Sequence, residues 1–204
     1  MYVDITQLDP QQIYITLTQT VIPRPIAWVL SENANGSLNL APYSFFNAVS
    51  SEPPLVMIST GLKPDGRPKD TRENIKQRRD FLVHIASVAQ LEELNASSAT
   101  LPAGESEVDH LGLTTVPLAG SRLPRLKDAK VAFVCTLYKI HNIGDNTTSM
   151  ILGRVRGVYL DDDVVGHDAK GRRQIHADRI HPVGRLGASE YVDFGRMIKL
   201  KRPA

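Results

Sequence analysis

The residues best suited to chemistry in this chain of 204 are few, and they lie in its first half and near its end. Lys69-Asp70-Thr71 opens a stretch, Asp70 to Arg79, that reads as a short helix with Asp70 or Thr71 as its cap and Glu73 in the first turn. A helix start points free N–H groups outward and carries about half a positive charge, so it is a candidate anion seat. Lys69 adds a full charge and Thr71 a hydroxyl, and Ser59 and Thr60, ending an apolar run, extend the cradle. Asp70 opposes it, because a capping carboxylate occupies the donors an anion would use; it is read as a capping residue beside the seat. Asn74 either serves the seat or faces solvent one turn along. Asn47, Ser50 and Ser51 place short donors on the extended run Ser44 to Ser51. The plainer reading of that run is a strand closed by Pro53-Pro54.

Other chemistries are not supported. There is no G-x-G-x-x-G after a strand, no G-x-x-x-x-G-K-[ST] loop and no G-x-S-x-G elbow. The six histidines are scattered; His176 and His181 stand five apart across an apparent loop, and Cys135 is the one cysteine, so a structural zinc site lacks ligands. Cys135 sits in the apolar run Val131 to Cys135, which predicts a buried, inert thiol.

The elements that must position these residues are mostly short strands. Gln12 to Thr18 alternates, with Ile13, Ile15 and Leu17 opposite Tyr14, Thr16 and Thr18, and predicts a strand. Pro23-Arg24-Pro25 interrupts as an edge segment. Ile26 to Ser31 and Ser37 to Leu40 form a hairpin about Asn33-Ala34-Asn35-Gly36. Leu55 to Thr60 is almost continuously apolar and predicts burial on both faces. Phe81 to Ala86 predicts a strand and Val88 to Ala96 a helix carrying Leu91 and Leu94. Val131 to Ile140 and Thr148 to Leu160 are long strands joined at Gly144-Asp145-Asn146, which argues for an antiparallel barrel. Residues 97–126 show little pattern, with prolines at 102, 117 and 124. They read as a surface excursion within one domain over 1–204, serving as a lid or partner contact.

Composition bounds the class. Hydrophobic residues at 42% and charged residues at 23% are ordinary for a globular protein, and a net charge of +2 does not suggest a nucleic-acid binder. The basic group Arg185, Arg196, Lys199, Lys201 and Arg202 reads as a solvated tail. No apolar run approaches the ~20 residues of a membrane span, and the first residues lack a signal-peptide pattern, so a cytoplasmic location is expected.

Three blocks in series carry a resemblance: Pro23 to Val29, Asn39 to Pro54, and Lys69 to Ile75. Their order and spacing resemble the flavin-reductase-like, FMN-binding split-barrel family. A later block from Asp178 to Tyr191, with His181-Pro182-Val183-Gly184-Arg185-Leu186-Gly187, looks like the signature of its flavoredoxin-like branch. The resemblance implies a mainly β fold, a six-stranded antiparallel Greek-key split β-barrel with a few peripheral helices. It further implies a homodimer with FMN along the subunit boundary. It maps the flavin onto Asn47, Ala48, Val49, Ser50 and Ser51, with the phosphate on Lys69 and Thr71. An extended backbone suits the polar edge of the ring, and Arg24, on a stiff segment, suits a fixed charge near the phosphate or the pyrimidine edge. Trp28, the sole tryptophan, is either a stacking partner for the ring or a core residue. Arg185, between Gly184 and Gly187, is carried to the flavin's vicinity, and His181 is a proton donor there or simply precedes a turn. The implied activity is oxidoreduction, with NADH or NADPH as donor and oxygen, an oxygenase partner or another acceptor as sink. A non-enzymatic FMN electron carrier that docks to a redox partner is the alternative, and a flavin-free binding module a third reading.

Overall fold

The computed structural model describes residues 1–145, 147–200 and 203. Asn146 of the expected turn, and Lys201 and Arg202 of the expected basic tail, lie outside the described residues.

After a 3-10 turn, Ile5–Gln7, the chain forms a helix, α1 (Pro10–Thr20), where alternation over Gln12 to Thr18 predicted a strand. Local chemistry decides this. Asp9 accepts from the Gln12 N–H at 2.8 Å while the Gln12 side chain accepts from the Asp9 N–H at 3.1 Å, and Pro10 stands at the first helical position. That reciprocal cap satisfies the free donors of a helix start. The β-branched residues that suggested a strand are absorbed, Thr18 by turning its hydroxyl back to the Tyr14 carbonyl at 2.9 Å.

Short β1 (Arg24–Pro25) is followed by β2 (Ala27–Glu32) and β3 (Leu38–Tyr43), the expected hairpin, with Gly36 at φ 88° in its turn. Next come β4 (Phe46–Ser51), β5 (Pro54–Thr60), α2 (Asp70–Arg78) and β6 (Asp80–His84). The predicted helix from Val88 divides into a 3-10 turn, Val88–Gln90, and α3 (Leu91–Ala96). After α4 (Glu107–His110), β7 (Thr115–Val116) and β8 (Arg125–Leu126), the long pair β9 (Val131–Ile143) and β10 (Thr148–Leu160) crosses the molecule. A small hairpin of β11 (Val165–His167) and β12 (Arg173–Ile175), then α5 (Ala177–Ile180), β13 (Gly184–Arg185) and β14 (Tyr191–Val192), complete the described elements.

Seven strands form one antiparallel sheet in the order β3-β2-β6-β9-β10-β5-β4, one more than the six expected. Its two outer strands are consecutive in sequence. The chain turns from β3 into β4 at Ser44–Phe45, where the Ser59 N–H donates to the Phe45 carbonyl at 2.8 Å and extends the β4–β5 ladder, and β3 also contacts β5, which brings the two ends of the sheet together. The interior holds Ala27, Val29, Phe81, Val83, Cys135 and Ile151, with Ile75 of α2 plugging one end. Gly153 makes this packing possible, because a β-carbon there would lie 2.4 Å from Phe81 Cζ.

β2 is the strand buried on both faces. Its other side chains, Trp28 and Leu30, point outward and are covered by Leu94, Val108, Leu123 and Leu126. Most of that cover comes from residues 97–126. The stretch expected as a lid or partner contact thus contributes to a second core layer, each fully buried Leu or Val adding roughly 1.5–3 kcal/mol. Its lack of pattern reflects short pieces that each bury one or two side chains.

Candidate functional site

β4 is an edge strand: among the described residues it pairs with β5 alone. Its free edge therefore carries backbone donors and acceptors at regular intervals. A bulge between Ala48 and Ser50 leaves Val49 unpaired and half exposed. Asn47, Ala48 and Ser51 are also exposed and Ser50 is half-buried. The five residues mapped to the flavin are thus gathered on one accessible edge.

Beside them lies a cavity of about 460 Å³. Leu17 of α1 and Val21 just after it form one wall; Phe45, Met57, Met150 and Ile143 add apolar surface, and Asn47, Ser59 and Arg24 supply polar atoms. Tyr14 of α1 stacks on Phe45, with ring centroids 6.5 Å apart and planes at 28°. An apolar wall next to a hydrogen-bonding strand edge suits a flat heteroaromatic ring with polar edges.

The α2 start is the second part. Lys69 occupies the cap position with no capping hydrogen bond from its side chain, correcting the expectation that Asp70 or Thr71 caps the helix. Asp70 instead pairs with buried Lys63 at 2.7 Å. Its carboxylate is thereby drawn away from the first-turn N–H groups of Asp70 and Thr71, which have no partner within the helix. A shallow basin of about 430 Å³ lies alongside, lined by Lys63, Arg67, Arg72 and Lys76 with Asp70 and Glu73. Arg72 was not anticipated. It donates to Asn142 Oδ1 at 3.3 Å, while its buried Nε has no partner among the described residues. Only its position one residue past Thr71 could have marked it in the sequence.

Several expected site residues have other duties. Trp28 is fully buried in the outer core layer and donates from Nε1 to Ser97 Oγ at 2.9 Å, so it cannot stack on a ligand. Thr71 is buried, its hydroxyl accepting from Asn39 Nδ2 at 2.9 Å, which leaves its backbone N–H for an anion. Asn74 is likewise buried, donating to Ser31 Oγ and to Asn33 Oδ1 at 2.8 Å. Ser59 faces the apolar cavity, whereas Thr60 turns inward as an unpartnered buried hydroxyl, because successive strand residues face opposite sides. The two therefore do not form one cradle.

Arg24 is a clamp. Its guanidinium donates to the Thr18 and Val21 carbonyls at the end of α1, to the Leu186 carbonyl at 2.7 Å and to Ser44 Oγ at 3.4 Å. Arg185 lies directly opposite it in the β1–β13 register and its guanidinium carbon stands 4.3 Å from the Tyr191 ring centroid. Gly187 beside it is needed for close approach, since a β-carbon there would strike Gln19 of α1 at 2.3 Å. His181 pairs with Asp193 at 2.6 Å and ends α5 with φ 52°. Burial pushes the Cys135 thiol up to about 12, the inert state expected. Glu107 was missed: this buried carboxylate accepts from the Leu40 N–H at 2.8 Å, and burial raises its pKa.

Comparison with known proteins identifies the family. Residues 19–176 match the model of the flavin reductase like domain, and the chain belongs to that family. It is 37% identical to the uncharacterized protein YwrF of Bacillus subtilis over 203 residues, covering 97% of each chain. Among solved structures it is similar to nitrilotriacetate monooxygenase component B from Bacillus cereus, with TM-score 0.89, 31% identity and 98% of each chain covered. It is also similar to the 2-nitrobenzoate 2-nitroreductase NbaA of Pseudomonas fluorescens, with TM-score 0.88 and 31% identity over 100% of this chain and 96% of that one. The chain is a flavin-reductase-like split-barrel protein with a flavin-related redox function.

Proposed function

We propose that the protein binds FMN and works as an NAD(P)H-dependent flavin oxidoreductase. The observation that carries this reading is the meeting of a free strand edge, Asn47 to Ser51, with an apolar cavity of about 460 Å³. When bound, the flavin supplies the hydride and electron chemistry. The protein's part is to bind and orient. The β4 edge offers in-plane hydrogen bonds to the ring, and Phe45 and Met57 give it an apolar wall. Lys69, Arg72 and the free N–H groups of Asp70 and Thr71 form the phosphate seat, where the orphaned Arg72 Nε awaits an acceptor. No acid or base is required of the chain, in keeping with the lack of a triad in the sequence.

We further read the protein as a homodimer. Tyr14, Ile15 and Leu17 of α1, with Val21 and Ile22 after it and Phe45 beside the cavity, are exposed apolar residues on neighbouring elements. A second copy would cover them and close the cavity against water. An oxygenase partner as electron sink is supported by the likeness to a monooxygenase component B. The lone buried thiol suits a reducing compartment such as the cytoplasm.

The test is direct. Purified protein should show a flavin absorbance or acquire one on adding FMN, and NADH or NADPH added without oxygen should bleach it. Bleaching by neither donor, with flavin bound, would make it an electron carrier; failure to take up FMN would end the flavin reading.

A further inference from the structure

Arg24 and Arg185 are a pair that lies apart from the phosphate seat at α2. They are directly opposed in the antiparallel β1–β13 register, a placement that is destabilising for like charges. Among the described residues no carboxylate lies within 4 Å of either guanidinium. Both line a cavity of about 160 Å³ between α1 and the β13–β14 turn. Arg24 is neutralised in part by the carbonyls at the end of α1. Arg185 is held against Tyr191 and donates from Nη2 to the Ala188 carbonyl, while its buried Nη1 has no partner. A buried guanidinium N–H without an acceptor costs more than an ordinary unmade hydrogen bond, and a carboxylate or phosphate is its natural complement.

We propose that this pocket is an anion subsite, one that takes a carboxylate or phosphate group of a ligand other than the flavin. Arg24 is the common wall of this pocket and the larger cavity, so a carboxylate or phosphate seated on Arg185 stands one side chain away from the flavin ring. The inference rests on the flavin reading for what fills the neighbouring cavity, but not for the anion itself. The flavin's own phosphate is given a separate seat at α2. Two sources share the chemistry: an aromatic acid serving as acceptor, or a phosphate of the dinucleotide donor. Gly184 and Gly187, on either side of Arg185, pack against Val192 and Gln19, so the guanidinium sits on a fixed segment.

The experiment is NMR of the arginine side-chain N–H groups in 15N-arginine-labelled full-length protein, with Arg185 assigned by Arg185→Lys. Benzoate, benzamide, inorganic phosphate, NADPH and FMN are titrated separately. Benzoate or phosphate is expected to shift the Arg185 signal saturably, and neutral benzamide at the same concentration to leave it in place. Arg185→Lys, which keeps the charge but loses the fork, should weaken the anion by roughly tenfold. Stronger binding of benzoate points to an organic acid; NADPH competing with phosphate points to the donor. The proposal is overturned if no anion moves Arg185, or if FMN moves it and displaces phosphate, since the pocket would then hold the cofactor. Anion shifts in a protein that takes up no FMN would leave the subsite standing and remove the flavin reading alone.

Discussion

His84 shows how one buried side chain ties stability to pH. Its ring is fully enclosed, Nδ1 bonding the Trp28 carbonyl at 3.2 Å and Nε2 accepting from the Leu126 N–H at 3.2 Å. Only a neutral imidazole can do both. Burial lowers its pKa from the usual 6.5 to about 4, the Trp28 carbonyl opposing and Arg125 assisting. The folded pKa lies below the unfolded one, so the unfolded chain binds more protons between these values. Stability is therefore full above pH 6.5 and falls as pH drops toward 4, by ~3 kcal/mol for this group. Urea midpoints at pH 7.5, 6 and 5 check it; a midpoint flat over that range counts against it. At the same scale, Arg72→Gln should weaken FMN by roughly tenfold or more, the value of a hydrogen bond to a charged group, while leaving riboflavin, which has no phosphate, nearly unchanged. Equal losses for both ligands would place the phosphate elsewhere. Trp28→Ala removes a core side chain, so a loss of about 3–5 kcal/mol is expected in chemical unfolding.

At the scale of elements, the barrel wall is set by complementary sizes. Phe81 on β6 fills the space that Gly153 on β10 leaves empty. Gly153→Ala should cost about 1–3 kcal/mol by overpacking, and the double variant with Phe81→Leu should recover part of it, a coupling that a denaturation cycle measures. Independent losses that simply add would mean the two do not share the space. α1 belongs at this scale too. Its cap was legible as Asp-Pro-Gln-Gln, yet alternation of Ile and Thr outweighed it in a seven-residue window, where helix and strand periods are hard to separate. The helix and the residue just after it then provide Leu17 and Val21 to the cavity wall, so misreading one element hid one side of the site.

At the scale of the whole molecule, the exposed apolar face of α1 beside the cavity is the surface on which the proposed dimer rests. Leu17→Glu should shift sedimentation from dimer to monomer and weaken FMN in step; a wild-type chain sedimenting as a monomer at micromolar concentration would refute the dimer. Dependence on protein concentration of both quantities is expected, because the same contact closes the cavity. The chain holds no helix long and apolar enough to cross a membrane among its described residues.

The main strands from Ile26 onward, the hairpin at Gly36, the long pair β9–β10 and the helix from Asp70 were readable in the sequence, because period, turn residues and charge act over a few neighbours. So was the gathering of Asn47 to Ser51 on one strand. What sequence could not decide was which side chains remain free for a ligand. Trp28, Thr71, Asn74 and Arg24 have the right chemistry for a flavin site, yet partners that lie up to 162 positions away, as Leu186 does from Arg24, engage their side-chain polar groups. Arg72 Nε and Arg185 Nη1 are left without such partners by the same packing. A donor's availability depends on everything folded around it, and only the tertiary structure brings those groups together.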